Sequence, residues 1–457
     1  MKSKIVSCAS LLIISVFMSC SSCNNNNDDV DPVVEPVLTD QEMLDLVQKD
    51  ALKYFWDYAE TNSKLARERY HVDDPGNDAN LVTTGGTGFG IMTIIAAVER
   101  GFVPRSEAVS RLETGLTFLE NADRFHGAWP HWINGVNGDV VPFGTIDNGG
   151  DIVETSFLCQ ALICLREYFK DGNQAEQALA AKADALWKGV EWDWYTKGEN
   201  VLYWHWSPDY EWQMNFKIQG YNECLITYVT AASSPTHPIS QAVYTQGWAN
   251  NGAILNPAVK YNLPVVFNYN GASGNVGPMF WSHYSYIGLD PRGLTDAYAN
   301  YWTAVTNHAK IMYAYCVDNP LEWEGYGENN WGLTASYTRN GNGSVGYTDH
   351  KPTNDKGVIS PTAALSSFPY TPVESMKALR FFYEQQHDML IGTAGPYDAY
   401  SLHYDWVTKR YLAIDQGTIV PMIENYRTGL LWNLFMQAPE VQQGLQNLGF
   451  HSAQHGF

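Results

Sequence analysis

Apolar residues recur at helical spacing along much of this chain. Leu179, Ala183, Leu186 and Val190 share one face, as do Tyr298, Trp302, Val305, Ala309, Met312 and Cys316. Val373, Met376 and Leu379 begin a third stripe. Residues 419–435 are apolar almost all round, which predicts a segment buried on every side. Thr39 and Glu42 hold the spacing of a capping box and predict a helix from there toward Tyr58. Strand-like runs, such as 201–206 and 265–269, are short and scattered. The pattern predicts a mostly helical single domain over residues 38–457, with long loops rich in glycine and aromatics.

Two kinds of helix alternate. Residues 172–189 carry a polar face, whereas 151–168 and 221–232 are nearly all apolar and follow glycine-containing loops. Outer and inner helices of an α/α toroid have this character, and no repeat of fixed period points to a solenoid.

The first residues read differently. Lys2 and Lys4 precede an apolar run at 11–17, too short to span a bilayer as a mature helix. Ser19-Cys20 resembles a bacterial lipobox, so the expectation is a leader at 1–19, lipidation of Cys20 (Cys23 being the alternative), and a disordered tether at 20–37. The protein is expected to be exported and anchored to the outer membrane through that lipid alone, as a monomer. Its net charge of −21 repels phosphate backbones and argues against nucleic acid as a partner. Cys159, Cys164, Cys224 and Cys316 lie in apolar runs and read as buried free thiols.

Several chemistries are missing from the pattern. There is no G-x-S-x-G elbow, no H-E-x-x-H and no phosphate-binding G-x-x-x-x-G-K. The twelve histidines show no ligand spacing, so neither a metal nor any other cofactor is expected. "TGGTGFG" at 84–90 lacks the dinucleotide fingerprint and reads as a close approach of backbone between packed elements.

Carboxylates beside aromatics remain. "GGDIVE", "GYNE" and "AIDQG" each place an acid near the start of an apolar helix: Asp151 and Glu154, Glu223, and Asp415. Any one of these acids could be an ordinary cap at the positive end of a helix dipole. In a toroid, however, inner helix starts converge on one mouth. Tryptophans at 129, 132, 204, 206, 212, 281, 323 and 331 could stack on sugar rings there, or belong to the core. Paired carboxylates among aromatics suit glycosidic bond cleavage: a protonated acid serves the leaving oxygen and a carboxylate activates water. The acid needs its pKa raised, by burial or by nearby like charge. Glu223, between Tyr221 and Cys224-Leu225-Ile226, has the drier surroundings.

These motifs, with "DIVETSFLCQALI", "YNECLITY", "GPMFWSHYSYIGLDPRG", "WGLTAS", "GVISPTAALSSFPYTPVES" and "YLAIDQGTIVPMIENYRTGLLW", resemble glycoside hydrolase family 144, also labelled glucoamylase-like. The resemblance covers nearly the whole chain after the leader. It implies an (α/α)6 toroid acting on β-1,2-glucan by an inverting route, either within the chain or by releasing sophorose from an end. By motif, Glu223 falls on the acid and Asp415 on the base, with Asp147, Asp151 and Glu154 lining the cleft. Trp206, Trp281, His283, Arg292 and Trp331 are the further substrate-binding candidates. Glu424 and Arg427, one helical turn apart, read as an internal ion pair. The rival readings are an exo-acting α-glucan hydrolase and a glycan-capturing lipoprotein without catalysis.

Overall fold

The computed structural model describes residues 38–457; the expected leader, tether and Cys20 lie outside the described residues. Helix α1 (Asp40–Trp56) starts where the capping box places it. Thr39 Oγ1 accepts the Glu42 N–H at 3.3 Å, and Glu42 Oε2 accepts the Thr39 N–H at 2.7 Å. From there outer and inner elements alternate. The pairs are α1 with α2 (Thr84–Glu99), α3 (Arg105–Asn121) with α4 (Ile152–Phe169), and α5 (Gln174–Lys188) with α6 (Leu225–Ser233). The fourth pair is irregular: Gln241–Val243 runs into a wide turn, Tyr244–Trp248, outside the tight turns Met279–Ser282 and Tyr284–Tyr286. Then come α7 (Tyr301–Asp318) with α8 (Pro361–Leu365), and α9 (Pro372–Arg380) with α10 (Ala413–Arg427). Two short helices, α11 (Leu430–Met436) and α12 (Pro439–Leu448), complete the chain.

The inner elements close a ring. Helix α2 packs on α4 and α10, α4 on α6, α6 on Tyr284–Tyr286, and α10 on α8. The remaining joint is made by Tyr370 O–H donating to the Ser282 carbonyl (2.8 Å) and by His283 Nε2 meeting Ser367 Oγ (3.0 Å). Inner helices are buried on nearly every side, which is why they are apolar all round, while outer ones bury one stripe. This is the expected (α/α)6 toroid.

The glycines of 84–90 form the first turns of α2, and close approach is their reason. A Cβ at Gly85 would stand 2.6 Å from Glu154 Oε2, and one at Gly88 2.6 Å from the Phe157 carbonyl. The four cysteines at 159, 164, 224 and 316 are buried free thiols.

Several boundaries differ from expectation. The apolar run after Gly220 becomes helical only at Leu225, leaving Glu223 in a turn. Tyr298 precedes α7, whose cap is Asn300. Of the predicted stripe, Leu379 is buried and Met376 packs against the core, but Val373 is 65% exposed and α9 buries Ser375 and Ala378 as well. Of 201–206, His205–Trp206 pairs with Gly150–Asp151 and Tyr203 makes a single bridge to Lys217, while 263–267 forms a hairpin with 255–260. The segment 419–435 breaks at Gly429 (φ +74°). Glu424 and Arg427 do hold the last long helix, but with other partners. Arg100 binds Glu424 at 2.6 and 2.9 Å, and Arg427 binds Asp45 at 2.6 Å. Side chains three apart on a wholly packed helix point to different neighbours.

Candidate active site

The starts of α2, α4 and α10 and the turn before α6 surround a cavity of about 390 Å³. Asp151 is the N-cap of α4. Its Oδ1 accepts the N–H groups of Val153 and Glu154, both at 2.9 Å, satisfying orphan donors of the first turn. Its Oδ2 takes the Trp204 indole N–H and contacts His131 Nδ1, each at 3.1 Å. Asp151, expected from the sequence to line the cleft, is therefore a buried cap that does not line the cavity itself but holds two residues that do, His131 and Trp204. Gly149 and Gly150 are needed here because Cβ atoms would lie 2.1 Å from the Trp206 carbonyl and 2.0 Å from the Tyr195 hydroxyl.

One turn on, Glu154 reaches across to α2, where its Oε2 accepts the Gly85 N–H (2.7 Å) and the Thr83 hydroxyl (3.3 Å). Burial lifts this carboxyl above its ordinary range against the pull of His131. Burial works the other way on His131, but Glu154, Asp151 and Asp147 outweigh it and raise the imidazole to about 9, making it a cation at neutral pH. Asp147 stands off the cavity wall, 3.2 Å from His205 Nε2, and burial and Asp151 push it to about 7.

Glu223 lines the cavity from the turn before α6. Ser285 pins that turn by donating to the Glu223 carbonyl and accepting the Ile226 N–H (3.1 Å). Burial, aided by Glu154 and Asp151, raises the Glu223 carboxyl to about 7. Its own backbone N–H and the Trp281 indole, which has no other partner, oppose the shift. A proton is thus held near neutrality on a carboxyl facing open space.

Asp415, in the first turn of α10, is 3% exposed and lies behind the wall. Tyr284 lines the cavity and donates its hydroxyl to Asp415 Oδ1 at 3.1 Å. The far oxygen of Asp415 meets the buried Asp398 carboxyl, and both are raised, chiefly by burial: Asp398 to about 6, and Asp415 well above the carboxylate range. Glu68, paired with Arg69, adds a further acid to this side.

Aromatic rings complete the walls. Trp132, Trp204, Phe280 and Tyr337 line the cavity, Phe143 is 51% exposed, and Tyr347 leans over the acids while 57% exposed. Tyr337 and Tyr347 face each other in the hairpin Ala335–Arg339 with Val345–Asp349.

Five predicted substrate-binding residues sit elsewhere or touch the site indirectly. Trp331 is fully buried and donates its indole N–H to the Glu374 carbonyl. His283 is buried against Ser367, and burial drops it to about 3, so it is a neutral strut. Arg292 clamps Asp290 (2.8 Å) and covers the Trp432 ring. Trp206 packs edge-on to His126 and Trp194, off the cavity wall. Trp281 is nearly buried beside Tyr269, reaching the site only through its indole N–H. Sequence reasoning missed Glu68, Arg69, Asp398, Tyr284, Tyr347 and the role of His131. The "NGNG" turn at 340–343 was a readable hairpin signal leading to Tyr347; nothing local marked Asp398.

A ring of inner helices with raised carboxyls between aromatic walls belongs to the glycoside hydrolases, and comparison with known proteins agrees. Residues 215–439 match the family model described as "Putative glucoamylase". An endo-β-1,2-glucanase from Chitinophaga pinensis, solved with sophorotriose and glucose, is 53% identical, with 91% of this chain and 99% of that one covered and a TM-score of 0.88. A β-1,2-glucanase structure from Parabacteroides distasonis is 43% identical (90% of this chain, 60% of that one, TM-score 0.85). A curated relative from the same organism, an exo β-1,2-glucooligosaccharide sophorohydrolase acting at the non-reducing end, is 44% identical over 443 residues. The alignment takes in 93% of this chain, which spans 60% of that relative's length. The chain belongs to glycoside hydrolase family 144, the family its motifs resemble.

Proposed function

We propose that this protein hydrolyses β-1,2-linked glucan with inversion. Glu223 protonates the leaving oxygen, and Asp415 serves as the base for the attacking water. The observation that carries this reading is Glu223: a cavity-facing carboxyl that burial and two neighbouring acids hold near pKa 7. A general acid needs that poise to be protonated at neutral pH yet able to give up its proton. Asp415 shares no hydrogen bond with Glu223, and Tyr284, whose phenol feels both carboxylates, stands on the wall before it. Room for a water between acid and base is what an inverting enzyme requires, at roughly 6.5–9.5 Å between carboxyls.

Asp151 and Glu154 supply the negative charge that helps keep Glu223 protonated, while Trp132, Trp204 and Tyr347 offer faces to sugar rings. The β-1,2 linkage is supported by the Chitinophaga enzyme and its bound sophorotriose. The working form we propose is a monomeric lipoprotein tethered at the outer membrane through Cys20; Cys20→Ala should abolish fatty-acid labelling.

Linear β-1,2-glucan and starch incubated in parallel test the reading. Sugar release from the β-glucan alone, lost in Glu223→Gln with an unchanged circular dichroism spectrum, is the expected outcome. Release from starch, or a fully active Glu223→Gln, would overturn it.

A further inference from the structure

Asp415 cannot meet a water in the cavity directly, because Tyr284 lies between them. Tyr284 forms part of the cavity wall, and its hydroxyl donates to Asp415 Oδ1 at 3.1 Å. On the other side, Asp415 Oδ2 and Asp398 Oδ1 are both buried and have no partner other than each other's carboxyl. The second Asp398 oxygen is fixed by the Tyr337 backbone N–H at 2.8 Å. Two carboxylates in contact away from water cannot both be ionised, so one proton sits between them.

We infer that the base is a proton-sharing pair, with Asp398 as the positioning residue for Asp415 and the Tyr284 hydroxyl as the link that carries the proton out of the cavity. The inference rests on the reading of Asp415 as base. In the resting enzyme the pair holds one proton and one negative charge. As water attacks the anomeric carbon, it passes a proton to the Tyr284 oxygen, and the Tyr284 proton moves to Asp415 Oδ1. The glycosidic C–O bond breaks, and its oxygen takes the Glu223 proton. The pair ends neutral with two protons and Glu223 ends as a carboxylate. Exchange with solvent restores both, and the net reaction adds one water.

The groups facing the pair are Glu68, Tyr284, Tyr337 and Tyr347, with Arg69 and Arg410 beside Tyr337. Glu68 adds negative charge and helps keep the shared proton in place. The pair becomes fit to accept a proton when it loses its first one, so kcat/KM should rise with pH through about 6, the value to which burial lifts Asp398.

The test is the pH profile of Asp398→Asn on β-1,2-glucan. An amide in place of the carboxyl removes the shared proton and donates to Asp415, favouring its ionised form. The rising limb should move down by about one pH unit or more, with kcat falling about tenfold. A packing defect alone would lower kcat and leave the limb in place, and that result would overturn the inference. Tyr284→Phe should lose about a hundredfold in kcat with KM little changed; retention of wild-type kcat would remove the link. A proton inventory on the wild-type enzyme covers the case of a variant that does not fold. A curved dependence on deuterium content is expected from two protons moving together, and a linear one counts against the relay. Activity surviving Asp415→Asn would instead sink the base assignment itself.

Discussion

Glu223→Gln should make the protein inactive and, above neutral pH, more stable. Folding moves this carboxyl from an ordinary value of 4.5 to about 7. Below 4.5 the group is protonated in both states and contributes nothing to the pH dependence. As pH rises from 4.5 to 7 the unfolded chain releases its proton first, so stability falls, and above 7 the loss is complete. At 1.36 kcal/mol per tenfold change, the rise corresponds to about 3.4 kcal/mol. The carboxyl opens on a cavity that water can enter, which screens its charge, so about 2 kcal/mol is the expected effect. The substituted amide has no proton to lose and escapes this cost. Guanidinium unfolding at pH 5.0 and pH 8.5 should show the variant gaining on the wild type mainly at the higher pH. An equal difference at both values would refute the burial argument, and with it the reason for assigning Glu223 as the acid.

Three more outcomes follow from the packing. Tyr347→Ala removes an exposed ring above the acids and should raise KM about fivefold with less effect on kcat, as a lost stacking contact does; steady-state kinetics on β-1,2-glucan checks this. Gly85→Ala would drive a methyl to 2.6 Å from Glu154 Oε2 and 2.9 Å from the Phe157 ring. It should cost about 1–3 kcal/mol in denaturant unfolding and lower activity together. Arg100→Ala leaves the buried Glu424 without its cation and should cost about 3 kcal/mol of stability by the same measurement, with kcat of the folded enzyme unchanged.

Local patterns carried much of this fold into the sequence. The Thr39 box starts α1, and all-round apolar runs mark the inner helices because nothing but protein surrounds them. The acids of the mouth were legible for a related reason. Asp151, Glu154 and Asp415 stand at helix starts, and the toroid collects such starts at one end. What the site takes from non-helical pieces was not legible. Glu68 and Asp398 come from bends beside short strands, more than three hundred residues apart, and only the tertiary fold brings them to the Asp415 side. The tryptophans show the same limit. Trp331 and Trp132 are equally suited to stack on sugar, yet one fills the core and the other lines the cavity, a difference set by packing and not by residue type.

The anomeric form of the first product tests the central claim most directly. When β-1,2-glucan is added to the enzyme in an NMR tube, the new reducing end should appear as the α-anomer and only later mutarotate, since one water adds to the face opposite the leaving group. First appearance of the β-anomer would mean a covalent intermediate on a carboxylate, and would contradict the division of work between Glu223 and the Asp415 side.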